Sequence, residues 1–122
     1  MTAYEVSLTD RAEEDLDKLY FSLQTRIGYE KAFLWYGAIR EAIIRSLESL
    51  PHRYQVSEDG SKAYPGTEVR AMRYGQGAAV FRIYYFIIEP RSEENEVDGA
   101  VRVLRVRHVT MRPLSQYGED DE

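Results

Sequence analysis

The sequence contains no cysteine, so neither a disulfide framework nor a thiolate metal site can form. This composition fits a reducing, cytoplasmic setting. Its two histidines, His52 and His108, are far apart and make no metal motif. No apolar run approaches the ~18–20 residues of a membrane span. The longest, "AAVF" and "IYYFII", flank Arg82 and read as one buried strand. The opening "MTAYEVSLTDRAEEDLDKL" lacks the basic and apolar regions of a signal peptide. "GQGAAV" joins two predicted strands and is not a dinucleotide loop. Glu93, Glu94, Glu96 and Asp98 match no calcium-loop spacing and read as solvating charge. No metal, cofactor or membrane partner is therefore expected.

What is present suits one domain, residues 1–114, with an acidic tail over 115–122 predicted to be disordered. The chain has 122 residues, is 43% hydrophobic and carries a net charge of −5, which argues weakly against a nucleic-acid binder. The charge is unevenly spread: residues 60–112 hold nine Lys and Arg against six Asp and Glu. The last ten residues add four acids and no base.

"YEVSL" alternates Tyr4, Val6 and Leu8 and predicts a short strand. Thr9 or Asp10 then offers an N-cap, with Glu13 at capping-box spacing from Asp10. Ala12, Leu16, Leu19, Tyr20 and Leu23 form an apolar stripe on a helix running to about residue 25. Gly28 suggests a tight turn into a second helix, 29–50, whose seam is Ala32, Trp35 or Tyr36, Ile39, Ile43, Leu47 and Leu50. Pro51 ends it.

Residues 52–66 read as loop, and strands are expected over 67–74, 78–89 and 101–109. A hairpin turn at 75–77 and a polar loop at 90–100 join them. The order predicts an α+β fold, β-α-α-β-β-β, with an antiparallel helix pair packed on one face of a small antiparallel sheet. Phe81, Ile83, Tyr85, Ile87, Leu104 and Val106 are expected to face the helices. Val80, Arg82, Tyr84, Phe86, Ile88, Val103, Arg105 and Arg107 are expected on the opposite face. Mixing arginines with aromatic rings suits either RNA or a protein partner.

This order, with "FRIYY" on the central strand and "VLRVRHVTMRPL" at the end, resembles the RelE/ParE superfamily over nearly the whole chain. These are toxins of type II toxin–antitoxin modules, associated with plasmid stabilisation and growth inhibition. The resemblance implies two helices on an antiparallel sheet, a prokaryotic cytoplasmic setting, and a cognate antitoxin encoded next door. RelE-like members cleave mRNA on the ribosome; ParE-like members inhibit DNA gyrase. If the chain were a nuclease, the resemblance makes Arg82 the charge stabiliser and His108 and Arg112 the proton or phosphate residues. It places Arg70 and Arg73 where those nucleases set basic residues against RNA; the sheet-face reading adds Arg105, Arg107 and Tyr84 as contacts to target or RNA. The sequence departs from the nuclease pattern: Val109 and Met111 stand where relatives often carry glycine and arginine. No catalytic tyrosine matches at the end, and Lys62 stands alone ahead of the central strand. These departures favour ParE-like inhibition of a target protein, with the mRNA endonuclease as alternative. An inactive or orphan interaction module is the third expectation.

Overall fold

The computed structural model describes residues 4–89 and 99–116. β1 (Tyr4–Leu8) leads into α1 (Asp10–Ile27) and α2 (Tyr29–Ser49). A short 3₁₀ turn (Pro51–Arg53) and α3 (Glu58–Ala63) follow. Then come β2 (Arg70–Gln76), β3 (Ala79–Ile88), β4 (Gly99–His108) and a final 3₁₀ turn (Leu114–Gln116).

Of the two candidate caps, Thr9 starts α1: its side-chain oxygen accepts the Ala12 amide at 3.1 Å. Glu13 instead reaches across to α2, where both its oxygens accept from the Arg40 guanidinium. Gly28, at φ +94°, joins the helices directly, a conformation that glycine adopts at least cost. Ala12 and Leu16 from α1, with Ala32, Ile39, Ile43 and Leu47 from α2, are fully buried. Each such Leu or Ile contributes roughly 1.5–3 kcal/mol relative to exposure.

The sheet order is β1-β4-β3-β2. β2, β3 and β4 form the expected antiparallel meander, and β1 adds to β4 in parallel. Gly75, at φ +107°, closes the β2–β3 hairpin; a Cβ there would lie 2.0 Å from the Ala79 carbonyl oxygen.

β4 carries a bulge. Tyr84 pairs with Arg105, but Tyr85 pairs with Val103, so Leu104 is an extra residue without a partner on β3. The bulge shifts the alternation by one position. It puts Val101, Val103 and Val106 together in the helix-side core with Phe81, Ile83 and Tyr85. Leu104 turns to the other side, where it packs against Val69, Tyr84 and Leu114. Two face assignments are thereby corrected: Val103 faces the helices and Leu104 does not.

Residues 52–66 are not a plain loop. Ser57 caps α3 by accepting the Gly60 amide at 2.9 Å, and Gly60 lies directly on the sheet. A Cβ at Gly60 would come within 2.6 Å of Val69 and 3.0 Å of Tyr84. The polar sequence hid this helix, because its buried residue, Gly60, has no side chain. β2 begins at Arg70, later than the expected 67, since Gln55 and Val56 pair with its start. Ser115, expected to begin a disordered tail, is held: Asp59 accepts the amides of Leu114 and Ser115 at 2.7 and 2.9 Å. Residues 117–122 and the acidic loop cluster at 93–98 lie outside the described residues.

Candidate binding surface

The sheet face opposite the helices is only partly covered. α3 and the Leu114–Gln116 turn close over Tyr84, Val69 and Leu104. Beyond them lies a row of three arginines in cross-strand register: Arg73 opposes Arg82, and Arg82 opposes Arg107. Directly opposed residues have Cβ atoms ~4.5–5.5 Å apart, and like charges so placed repel. Arg73 is exposed, Arg82 is half-buried and Arg107 is buried.

The three differ in their partners. Among the described residues, Arg73 and Arg82 make no hydrogen bond or ion pair. Arg107 donates to the Arg112 carbonyl at 2.9 Å, tying β4 to the chain that follows it. Burial, together with the neighbouring Arg105 charge, lowers the Arg107 pKa from its ordinary value. Asp59 lies close enough to Arg107 to feel its charge. Burial pushes the Asp59 carboxyl up, but the Ser115 and Leu114 hydrogen bonds and the Arg107 charge outweigh it and hold its pKa below the usual value.

Arg105, expected among the ligand contacts, is committed to the fold. Only 3% of it is exposed, and its Nε and Nη2 meet the two oxygens of Asp15 at 2.7 and 3.1 Å. Asp15 also accepts the Val106 amide at 2.9 Å. The reason is topological. β1 pairs with β4 only as far as Leu8 opposite Val103, so the edge of β4 beyond it needs another acceptor. α1 brings Asp15 to that edge. Burial disfavours the Arg105 charge, but Asp15 more than offsets it, and the Arg105 pKa is raised.

Tyr84 is likewise 96% covered and sits beneath α3 rather than on an open surface (4% exposed). Arg70 lies on the helix side, opposite Tyr85, and donates to the carbonyls of His52 and Tyr54 at 3.1 and 2.7 Å. Tyr85 donates to the Pro51 carbonyl, so these two side chains hold the Pro51–Arg53 turn in place. Burial raises the Tyr85 pKa, which keeps the hydroxyl a donor.

His108 does not join the arginine row. Its cross-strand partner is Phe81, on the helix face, and the two rings meet edge to face at 5.3 Å. Nδ1 accepts the Thr110 amide at 3.1 Å, so the neutral ring carries its proton on Nε2 and donates it to the Ala78 carbonyl at 2.8 Å. Both nitrogens are thus engaged in closing the turn after β4. Arg112 is exposed, with its backbone carbonyl held by Arg107. The arrangement therefore brings Arg73, Arg82 and Arg107 together. It keeps Arg70 and His108 on the other face and places Arg105 and Tyr84 in packing.

A second surface was not expected. On the α1–α2 hairpin, Phe21, Tyr29, Phe33 and Leu34 are 63%, 67%, 60% and 70% exposed. Phe33 and Leu34 line a shallow groove along α2 with Tyr36, Gly37, Arg40 and Glu41. The signal was present in "FLWYG": four consecutive large apolar residues cannot all enter one helical seam. Among the described residues no group of His, Asp and Glu could hold a metal ion, and no helix is long and apolar enough to cross a membrane.

No model of a known protein family matches the sequence, and no curated protein does. Solved structures do match. The chain is similar to a chain of the "Chromosomal ParDE TA system from P. aeruginosa", with a TM-score of 0.62 and 21% identity, over 87% of this chain and 96% of that one. The strand, helix hairpin and three-stranded meander described above are thus a fold shared with that ParDE chain.

Proposed function

We propose that the protein is the toxin of a type II toxin–antitoxin module, acting by binding a target protein and held inactive by an antitoxin encoded beside it. Two lines support the module: the RelE/ParE-like order of "FRIYY" and "VLRVRH", and a fold shared with a chain of a ParDE system. The antitoxin reading draws on the helix hairpin. Clustered apolar side chains at this exposure are unusual on a protein that works alone.

The observation that carries the choice of mechanism is the separation of Arg82 from His108. Cleavage of RNA through its 2′-hydroxyl needs a base, a charge stabiliser and an acid around one phosphate, with proton donors within ~3 Å or one water. Arg82 has no proton-transfer residue beside it in the row; its cross-strand neighbours are both arginines. A row of guanidinium forks without a base suits binding of a carboxylate-bearing protein surface. DNA gyrase is the precedent in the resembled family.

A supercoiling assay with purified gyrase tests this. Inhibition at micromolar protein, lost with Arg82→Glu, is the expected result. No inhibition, together with codon-phased mRNA cuts in arrested cells that vanish with Arg82→Ala, would replace it with the RelE-like nuclease reading.

A further inference from the structure

α2 buries Ile39, Ile43 and Leu47 in the core. At about 100° per residue, the side of α2 turned away from them runs from Glu30 through Phe33, Leu34, Gly37 and Ile44 to Arg45. All six are exposed. Gly37 is the odd member. Glycine in a helix interior is less stable than alanine. A Cβ at Gly37 would meet no atom within 4 Å, so nothing in the described chain requires the glycine. With Ala38 beside it, Gly37 leaves the α2 backbone open to close approach by another helix.

The charges on this face select the second helix. Glu30 and Arg45 lie at equal distances, ~11 Å, on either side of the Gly37–Ala38 midpoint. A second α2 laid antiparallel across that midpoint sets Glu30 of each copy against Arg45 of the other, so the pairing is made twice. A parallel α2 would set Glu30 on Glu30 and Arg45 on Arg45, and like charges repel. Within its own helix Arg45 meets Glu41 at 3.5 Å, with 76% of its side chain exposed, so donors remain for a partner. Phe33 and Leu34, one turn from the midpoint, then lie against the second α2 on both sides of the small-residue centre.

We propose that two copies of this chain pair through the outer face of α2, antiparallel about Gly37 and Ala38, as a two-fold symmetric dimer. One crossing of two helices is at the small end of interface sizes, so the dimer is reversible, with a dissociation constant in the micromolar range. The pairing stands independently of the toxin assignment. Only its consequence rests on that assignment: the antitoxin is assigned to the same helix hairpin, so its binding separates the two copies.

Sedimentation velocity of the full chain alone, from ~2 to ~200 μM, is expected to pass from monomer to dimer. Glu30→Arg and Arg45→Glu should each weaken the dimer by roughly fivefold or more. The double variant should recover it to within about twofold of the wild type, because the reversed charges meet again across the axis. Both positions are exposed, and an unchanged circular dichroism spectrum checks that each variant is folded. The chain has no cysteine, so a single introduced one reports the geometry. Mild oxidation should link Ala38→Cys chains to each other. It should leave Glu48→Cys chains single, since the two copies of position 48 would lie ~30 Å apart. A chain that stays monomeric throughout would leave this face to the antitoxin and overturn the proposal. A double variant no tighter than the single ones, or equal cross-linking of the two cysteine variants, would also overturn it. None of these readouts depends on growth arrest, so failure of the toxin reading and failure of this one are distinguishable.

Discussion

Arg82 and His108 point from opposite faces of the sheet, although His108 directly follows Arg107, the cross-strand partner of Arg82. One strand position decides this. Successive side chains of a strand alternate, so Arg107 joins the arginine row and His108 packs on Phe81 beneath the helices. The pairing makes the two residues separable by mutation.

His108→Gln is expected to keep growth arrest, with a stability loss of about 1 kcal/mol from the weakened Ala78 and Thr110 hydrogen bonds. Arg82→Glu is expected to abolish arrest while the protein still accumulates. Growth curves after induction, with soluble protein measured in parallel, check both. A general acid–base role for His108 would instead show as a loss of roughly 10²–10⁴ in cleavage rate.

Arg82 and Arg105 should differ sharply in stability. Arg82→Gln relieves repulsion from Arg73 and Arg107, so unfolding in urea should show no loss, or a gain of up to about 1 kcal/mol. Arg105→Gln leaves Asp15 buried without its cation and should cost about 3–5 kcal/mol. The double variant Asp15→Leu, Arg105→Met should recover part of that loss, because it removes both charges together.

Asp59 should govern acid stability at the C-terminal turn. Its pKa is lower in the fold than the ordinary 3.8. Its contribution is therefore complete above about pH 4–5 and is lost as the pH falls through the folded-state pKa. Urea midpoints of the wild type and Asp59→Asn should differ most at pH 6 and approach each other as the pH falls below 3.8. Equal midpoints at pH 6 would contradict the role assigned to its bonds with Leu114 and Ser115.

Phe33→Ser with Leu34→Ser should leave stability within about 0.5 kcal/mol, since both side chains are largely exposed. The same change should weaken binding of the cognate antitoxin at least tenfold, as truncation of an apolar anchor does. Calorimetry of the two purified proteins reads both quantities.

Most of the fold was legible because its period signals are strong. The stripe Ala12–Leu16, the seam Ile39–Ile43–Leu47 and the alternation of β3 each follow from residue spacing. In the sequence, the odd positions of β4 change from Val101 and Val103 to Arg105 and Arg107, but the bulge at Leu104 behind that change is not visible there. A bulge is set by pairing with Tyr84 and Tyr85, which no local pattern encodes. α3 escaped notice because a six-residue helix that packs through Gly60 leaves no apolar stripe. On the arginine face, alternation along β3 and β4 gave the positions of Arg82 and Arg107. It did not reveal the burial of Arg105, whose partner Asp15 lies 90 positions away on α1. An ion pair of that separation becomes visible only once α1 is docked on β4.

The most direct test of the central claim is growth after induction of this chain alone and together with the neighbouring gene. The account predicts arrest with the chain alone and recovery when both genes are expressed. Unimpeded growth while soluble protein accumulates would contradict it.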